Sequence, residues 1–356
     1  MWTKAADGTV LDKDGRVVFF TAQRFVNDIC LGNCCFICGA SPTVAEFNDE
    51  HILPDWLLRQ YGLHQKTVNL PNATLRKYAG YRVQSCKSCN SMMGELIEQP
   101  LGHVFGQGPT ATNDFAANGG VLKLVVWLGL IFFKTHLNDK NLRHHLDARK
   151  GTQSIAEEAN YDWSELHHIH TIARCFYSGT EVAQEAVGSF LMIPVRREAM
   201  EEDFDFLDFK VPQTIYMRLG ETALFSVFND SGAALNCFMP VLEKITGPVS
   251  DLQAREIAAE LAGLNLHIKN RPSFHSKWQL TKEWIKAEAK RPEFVELMPI
   301  NRQVIGEIKA SAFSNILPQI RLHGLAPEEV VDLMRAGRLS FLFDDDGKFI
   351  TNKRLT

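Results

Sequence analysis

The sequence lacks several features that would assign a function at once. Its most apolar run, residues 124–133, is ten residues long, against the roughly 20 that a helix needs to cross a bilayer. Its first residues do not have the charged-then-apolar layout of a signal peptide. It contains no Walker loop, no G-x-G-x-x-G and no G-x-S-x-G motif, so nucleotide hydrolysis and serine-esterase chemistry have no support. We therefore expect a soluble, cytoplasmic protein with no membrane partner, in which 124–133 is part of a buried core helix.

A strong overall charge is also missing. The 38 basic and 42 acidic residues give a net charge of −4, which excludes a globally basic nucleic-acid binder but not a local basic patch. The segment 51–90 carries six cations and a single anion, Asp55, a balance that favours a phosphate-facing surface. The acidic residues collect later, at 200–209 and 343–347, where we expect solvated loops or helix caps.

Cysteine is too sparse for a secreted disulfide scaffold, with eight in 356 residues. Four of them form two Cys-x-x-Cys pairs about fifty residues apart, a spacing typical of a tetrahedral zinc site in a reducing compartment. We predict a structural zinc ion held by four thiolates, with no open position for catalysis. Cys34 is an alternative ligand to its neighbour. The predicted ligands are Cys35, Cys38, Cys86 and Cys89.

The remaining pattern predicts an α+β protein of two domains. Asp-Gly turns indicate a small hairpin near the N-terminus. Apolar periodicity and caps predict helices, and short β-branched runs between turn residues predict strands. The Gly- and Asn-rich stretch 106–120 is the expected boundary, which gives a zinc-stapled domain at 1–105 and an α+β domain at 120–356. The predicted helices are 121–137, 164–177, 250–266 and 326–337, the predicted strands are 189–195, 214–219 and 223–230, and a terminal hairpin is expected at 339–352.

An acid–histidine pair, Glu50-His51, lies between the two cysteine pairs, and Asn90 follows the last cysteine. Adjacent residues of a strand point to opposite faces, so a shared site needs a strand end there, which Pro54 supplies. A helix is expected at 55–62, with Trp56, Leu57 and Leu58 packed inward. A second helix is expected to begin near Ser88 as N-cap, and it would place Asn90, Gly94 and Glu98 on one face.

The order C-x-x-C, E-H-I-x-P-x-W-L, C-x-x-C-N and then Ile-Glu resembles the HNH endonucleases, in the four-cysteine subgroup of the ββα-metal (His-Me finger) fold. The resemblance covers roughly residues 30–100. It implies an N-terminal ββα-metal domain with a structural zinc knuckle, and it identifies a DNA nuclease that cuts one strand at each site. Relatives often belong to bacterial anti-phage or restriction systems, which implies defence proteins as partners.

The resemblance also implies roles for individual residues. His51 would be the general base, and Glu50 and Asn90 would hold a catalytic Mg²⁺ or Mn²⁺ through oxygen. Double-stranded DNA is the expected partner, and its flanking phosphates would be bound by Arg59, Arg76, Arg82 or Lys87. The middle asparagine of the family has two candidates, Asn69 and Asn72. Glu98 would either orient a metal ligand or be an ordinary helix-surface acid.

The sequence leaves open two alternatives to a DNA nuclease, and also a possible second metal site. A zinc ribbon that binds nucleic acid or protein without catalysis would keep the cysteines but has no reason to keep the Glu50, His51 and Asn90 set. An HNH nuclease directed at RNA would keep all of them. Five histidines cluster at 143–149 and 165–171, where a polar helix face or a domain interface is favoured over a second metal site.

Overall fold

A computed structural model describes residues 1–197, 202–320, 322 and 324–351, apart from the side chain of Gln319. Within them the chain is a mixed α+β protein, as predicted. The strands of the first half are β1 Thr3–Lys4, β2 Val10–Leu11, β3 Val17–Phe19, β4 Phe47–His51, β5 Thr67–Asn69, β6 Leu75–Lys77 and β7 Arg82–Cys86. Those of the second half are β8 Glu181–Val182, β9 Ser189–Pro194, β10 Phe204–Phe209, β11 Thr214–Leu219, β12 Thr222–Val227, β13 Ser273–Gln279 and β14 Trp284–Lys290.

The α-helices follow the same chain order. The earlier ones are α1 Ala22–Arg24, α2 Asp55–Gln60, α3 Lys87–Met93, α4 Gln99–Gly106, α5 Pro109–Phe115 and α6 Val121–Asn138. The later ones are α7 Ile155–Glu158, α8 His167–Ala173, α9 Cys175–Ser178, α10 Ala233–Leu242, α11 Asp251–Leu266, α12 Arg302–Phe313 and α13 Pro327–Arg335. Three of the four predicted helices and all three predicted strands of the second half are therefore present, some with shifted ends. The predicted helix 164–177 is instead divided into a 3-10 turn at Trp163–Leu166 and the short helices α8 and α9.

The chain divides into two compact units. The first comprises Met1–Gln107, Ala111–Ala186 and Phe274–Ala289, and the second comprises Gly108–Thr110, Val187–Ser273 and Lys290–Thr356. This division differs from the expected boundary at 106–120, because the buried helix α6 and the segment up to residue 186 pack within the first unit. The recognition, partner or sensor role expected for 120–356 stays a prediction.

The predicted metal region is built on a two-stranded ribbon and a helix. Strands β4 and β7 pair antiparallel, with Phe47 opposite Cys86 and His51 opposite Arg82. Helix α3 begins directly after β7 and continues through a π-helical turn at Gly94–Glu98. Its N-cap is Cys86 and not Ser88, because the Cys86 sulfur accepts a hydrogen bond from the Cys89 N–H and so takes the capping role.

Helix α6 is the core helix of the first unit, as expected. Every residue from Leu124 to Asn138 is buried. Within the described chain one helical stretch, Pro109–Asn138, is long and apolar enough to span a membrane, and 50% of its most apolar window is buried inside the protein. Helix α2 begins at Asp55, with Leu57 and Leu58 fully buried as predicted.

The second unit contains a four-stranded antiparallel sheet in the order β10-β11-β12-β9, packed with α10 and α11. The edge strand β10 corrects the expectation of a solvated loop at 200–209, although residues 200 and 201 lie outside the described range. Its phenylalanines Phe204 and Phe206 are buried and alternate with Asp205, which pairs with the buried Arg255. The acidic run therefore has the period of a half-buried strand.

The predicted terminal hairpin is reduced to one bridge between Phe343 and Phe349. The acidic residues between them form an exposed turn, as expected. Residue 352, the end of the predicted hairpin, lies outside the described residues.

Candidate metal centre and active site

The four predicted zinc ligands converge. The Sγ atoms of Cys35, Cys38, Cys86 and Cys89 all lie within 4.8 Å of one another, and no other group of three or more His, Cys, Asp or Glu in the described chain is arranged to hold an ion. Cys34 is outside this group, so it does not replace Cys35. Four sulfur donors at this separation fit a tetrahedral ion such as zinc.

The first cysteine pair is shaped by a glycine. Gly39 has φ +76°, and its N–H donates to the Cys35 carbonyl at 2.8 Å. A Cβ at this position would come within 2.8 Å of the Phe20 ring, so only glycine gives both the left-handed turn and the close packing. The Ala40 N–H then donates to the Cys38 sulfur at 3.4 Å. The loop 34–40 is therefore preshaped to point two sulfurs inward.

The thiols influence each other's protonation. Hydrogen bonds from the other three thiols lower the pKa of Cys35, and the same bonds with Cys35 raise the pKa of Cys86 and Cys89. One sulfur of the group thus already favours the thiolate form that a metal requires. Burial raises the pKa of the isolated Cys30 thiol, which behaves as a buried apolar side chain.

Helix α8 anchors the loop that carries Cys35 and Cys38. His170 contacts the Phe36 carbonyl through Nε2 at 2.6 Å, and Arg174 donates through Nε to the Ile37 carbonyl at 2.7 Å. Arg174 also donates to the carbonyls of Val17 and Val18. Both side chains are buried. His170, one of the histidines at 165–171, and Arg174 therefore anchor the backbone of the cysteine loop, and these long-range bonds could not be read from the sequence.

The two sides of the β4–β7 ribbon differ in character. Glu50 is 5% exposed, and the period of the strand turns it to the opposite side from its exposed neighbour Asp49. His51 is the last residue of β4 and is half-buried, so the strand ends at the predicted point. Its direct neighbour across the ribbon is Arg82, which is exposed.

A buried lysine lies against the Glu50 side. Lys134 of α6 is 1% exposed. Its Nζ lies 2.7 Å from Glu50 Oε1, 2.7 Å from the His51 carbonyl oxygen and 3.7 Å from Glu98 Oε1. Glu98 is thus no helix-surface acid, since its side chain is 15% exposed and faces Lys134. Burial raises the pKa of Glu98 to about 7, with the Lys134 ammonium acting in the opposite direction.

Asn90 lies on the same side of the ribbon as Glu50. Its Nδ2 donates to Asn48 Oδ1 at 3.0 Å, and Asn48 precedes Glu50 by two residues, so both face α3. The side-chain amide oxygen of Asn90 (Oδ1) and Glu50 Oε2 take part in no hydrogen bond within the described residues. One carboxylate oxygen and one amide oxygen are a donor set that fits a hard divalent cation.

His51 has the environment of a neutral imidazole. Burial lowers its pKa, and the positive charge of Arg82 adds to this effect, while Asp55 and Glu50 oppose it. The imidazole is therefore mainly unprotonated at neutral pH, the form that accepts a proton.

All four predicted phosphate-binding cations are exposed. Arg82 lies directly opposite His51 across the ribbon. Arg59 is paired with Asp55 at 2.9 Å, and Lys87 with Glu46 at 3.2 Å. Arg76 donates to the Gly80 carbonyl at 2.9 Å. Exposed pairs of this kind contribute little to stability, so the side chains can exchange their partners for phosphate.

The two candidates for the middle asparagine differ in their contacts. Asn69 ends the exposed strand β5. Asn72 donates to the carbonyls of Arg143 and His144 at 2.9 and 3.2 Å, and its Oδ1 accepts from the Thr74 N–H. Asn72 therefore braces the loop after β5.

The sequence patterns above predict a role for neither Lys134 nor Arg174. The available signal for Lys134 was a cation directly after the apolar run 124–133, since a lysine inside a buried helix must be paired. Arg174 had no comparable signal, because its partners are main-chain carbonyls more than 130 residues away. In comparisons with known proteins, no family model, no curated protein and no solved structure matches this chain.

Proposed function

We propose that the first unit is a metal-dependent HNH endonuclease that hydrolyses phosphodiester bonds of DNA, with a zinc ion in the four-cysteine group. The observation that carries the proposal is the β4–β7–α3 arrangement. It holds Glu50 and His51 on one strand and Asn90 on the following helix, and the four cysteines tie both ends of the segment together. A zinc ribbon that served only as a scaffold would not require this polar set.

The side chains have distinct roles in this proposal. His51 removes the proton from the attacking water, a task that suits its lowered pKa. Glu50 Oε2 and the Asn90 amide oxygen would hold Mg²⁺ or Mn²⁺. When bound, the cation would stabilise the negative charge that develops on the phosphate and on the leaving oxygen. Arg82, across the ribbon from His51, binds the phosphate next to the cleaved bond.

The substrate is inferred from the exposed cations, and the setting from the resemblance to HNH endonucleases of bacterial defence systems. Arg59, Arg76 and Lys87 are exposed and would contact flanking phosphates of double-stranded DNA. A single site of this kind cuts one strand, so the expected product is a nick. We place the protein in the bacterial cytoplasm, in defence against phage or foreign DNA. The second unit would recognise the substrate, a partner protein or a signal.

Plasmid nicking tests this function. We expect the zinc-loaded protein with Mg²⁺ to nick supercoiled plasmid, and His51→Ala to lower the rate by about 10²-fold or more, the usual contribution of a general base. His103→Ala, a change at an exposed histidine of the same unit, should leave the rate unchanged. Equal rates for wild type and His51→Ala, or no nicking with any of several cations, would instead favour the non-catalytic zinc ribbon. Cleavage of RNA but not DNA would assign the enzyme to RNA.

A further inference from the structure

The environment of Lys134 is unusual for a side chain in a core helix. Its neighbours in α6 are buried and mostly apolar, yet its ammonium reaches three oxygens that belong to the candidate active site: Glu50 Oε1, the His51 carbonyl and Glu98 Oε1. Burying an ion pair seldom stabilises a fold more than apolar packing would. What distinguishes these contacts is that all three oxygens belong to the candidate active site.

The geometry fixes two parts of the site at once. The hydrogen bond to Glu50 Oε1 restricts rotation of the carboxylate and leaves Oε2 as its unbonded oxygen. The bond to the His51 carbonyl restrains the main chain that carries the proposed base. Both bonds are 2.7 Å long and donated by a group that is 1% exposed, so water competes little with them.

The charges explain why a second carboxylate is present. Lys134 alone would neutralise Glu50 and repel a divalent cation a few ångströms away. Glu98, 3.7 Å from the same ammonium, offsets that positive charge when it is ionised. Two carboxylates and one ammonium then leave one net negative charge for a cation.

We propose that Lys134 and Glu98 are positioning residues of the candidate active site: Lys134 orients Glu50 and the His51 main chain, and Glu98 offsets the ammonium so that Glu50 can bind a divalent cation. This inference rests on the proposed nuclease function. Partners that orient metal ligands in this way typically account for 10- to 100-fold in metal affinity or activity.

The second unit offers a matched control. Lys309 is also a buried lysine between two glutamates, with Nζ 2.9 Å from Glu256 Oε1 and 3.2 Å from Glu260 Oε1. There the first carboxylate accepts hydrogen bonds from the N–H groups of Phe341 and Leu342, which gives the pair a structural role. The control variants Glu260→Gln and Lys309→Met/Glu260→Gln therefore make the same chemical changes as Glu98→Gln and Lys134→Met/Glu98→Gln, but at residues outside the candidate active site.

The experiment measures Mn²⁺ binding by the loss of the free-ion EPR signal, on full-length, zinc-loaded protein at about pH 8, where ionised Glu98 predominates. Glu50→Gln identifies the signal that belongs to this site. We expect Glu98→Gln to weaken Mn²⁺ binding and slow plasmid nicking by about 10-fold, because Lys134 and Glu50 then cancel and the cluster has no net negative charge. The double variant Lys134→Met/Glu98→Gln keeps the net charge of the cluster, but Lys134 no longer orients the Glu50 carboxylate. We expect it to lower the Mn²⁺ affinity and the nicking rate by about 10- to 100-fold.

The outcomes separate this inference from the proposed function. Wild-type Mn²⁺ affinity in Glu98→Gln and in the double variant overturns the inference, as does an equal loss in the Glu260 and Lys309 controls. Binding that Glu50→Gln does not reduce also overturns it. If nicking depends on His51 but is unaffected by Glu98→Gln, the nuclease function is supported and the positioning role is refuted. Glu98-dependent Mn²⁺ binding without any nicking would support the cation site and refute the nuclease. Should the double variant not fold, Glu98→Gln alone decides, since it keeps the Lys134–Glu50 bond.

Discussion

Replacement of Arg174 tests how the cysteine loop is held. Its guanidinium donates to the carbonyls of Ile37, Val17 and Val18, and it lies over the Phe20 ring, 4.6 Å from the centroid. Arg174→Met keeps most of the apolar stem, removes all these donors and leaves three buried carbonyl groups without this partner.

The expected change in the free energy of unfolding is the difference between two opposing effects. Hydrogen bonds from a charged donor contribute roughly 1.5–3 kcal/mol each, so three of them are worth about 5–9 kcal/mol. The substitution also removes the cost of burying a charge, which is several kcal/mol. We therefore expect Arg174→Met to lower the free energy of unfolding of the first unit by about 3 kcal/mol. Because Ile37 lies inside the first cysteine pair, zinc should also be released to a chelator faster.

Urea unfolding followed by tryptophan fluorescence isolates this effect, because all 6 tryptophans of the chain belong to the first unit. Arg149→Met serves as the control. Among the described residues Arg149 is paired with the nearby Asp147 alone, and its side chain is 89% exposed, so its loss should change the unfolding free energy by less than about 0.5 kcal/mol. An Arg174→Met protein within about 1 kcal/mol of wild type, at an unchanged m-value, would refute the anchoring role.

Two further changes test the metal site and the buried acid. Cys89→Ser should abolish stoichiometric zinc measured by elemental analysis, whereas Cys34→Ser should retain it, since Cys34 lies outside the sulfur group; zinc loss in Cys34→Ser would contradict the ligand assignment. Because burial raises the pKa of Glu98 to about 7 in the folded state, the folded protein binds a proton that the unfolded chain releases. This proton binding stabilises the folded state at low pH, and the stabilisation is lost as the pH rises through about 7. Between about pH 5.5 and about pH 8 the unfolding free energy of wild type should fall by about 2 kcal/mol more than that of Glu98→Gln. Parallel pH profiles for the two proteins would exclude this titration.

Local patterns predicted much of the fold. The Cys-x-x-Cys spacing located the metal-binding loops, and the periodicity of 250–266 predicted helix α11 with either Ser250 or Asp251 as its N-cap; in the structure the N-cap is Ser250. The acidic residues of 200–209 favour a solvated loop, whereas the structure has strand β10 there because the alternate side chains Phe204 and Phe206 are buried. The N-cap of α3 was misplaced because a thiol took the part usually played by a hydroxyl or a carboxylate.

The sequence by itself determined which groups carry chemistry: four thiols in two pairs, an acid–histidine dipeptide at a strand end and an asparagine at a helix start. Only the tertiary structure decided their surroundings. It placed Lys134 beside Glu50 across 84 positions of the chain and Arg174 beneath the cysteine loop across 137. Spacing and periodicity report on neighbours within a few turns of the backbone. Contacts across such separations depend on how the elements pack, and no local pattern encodes the partner.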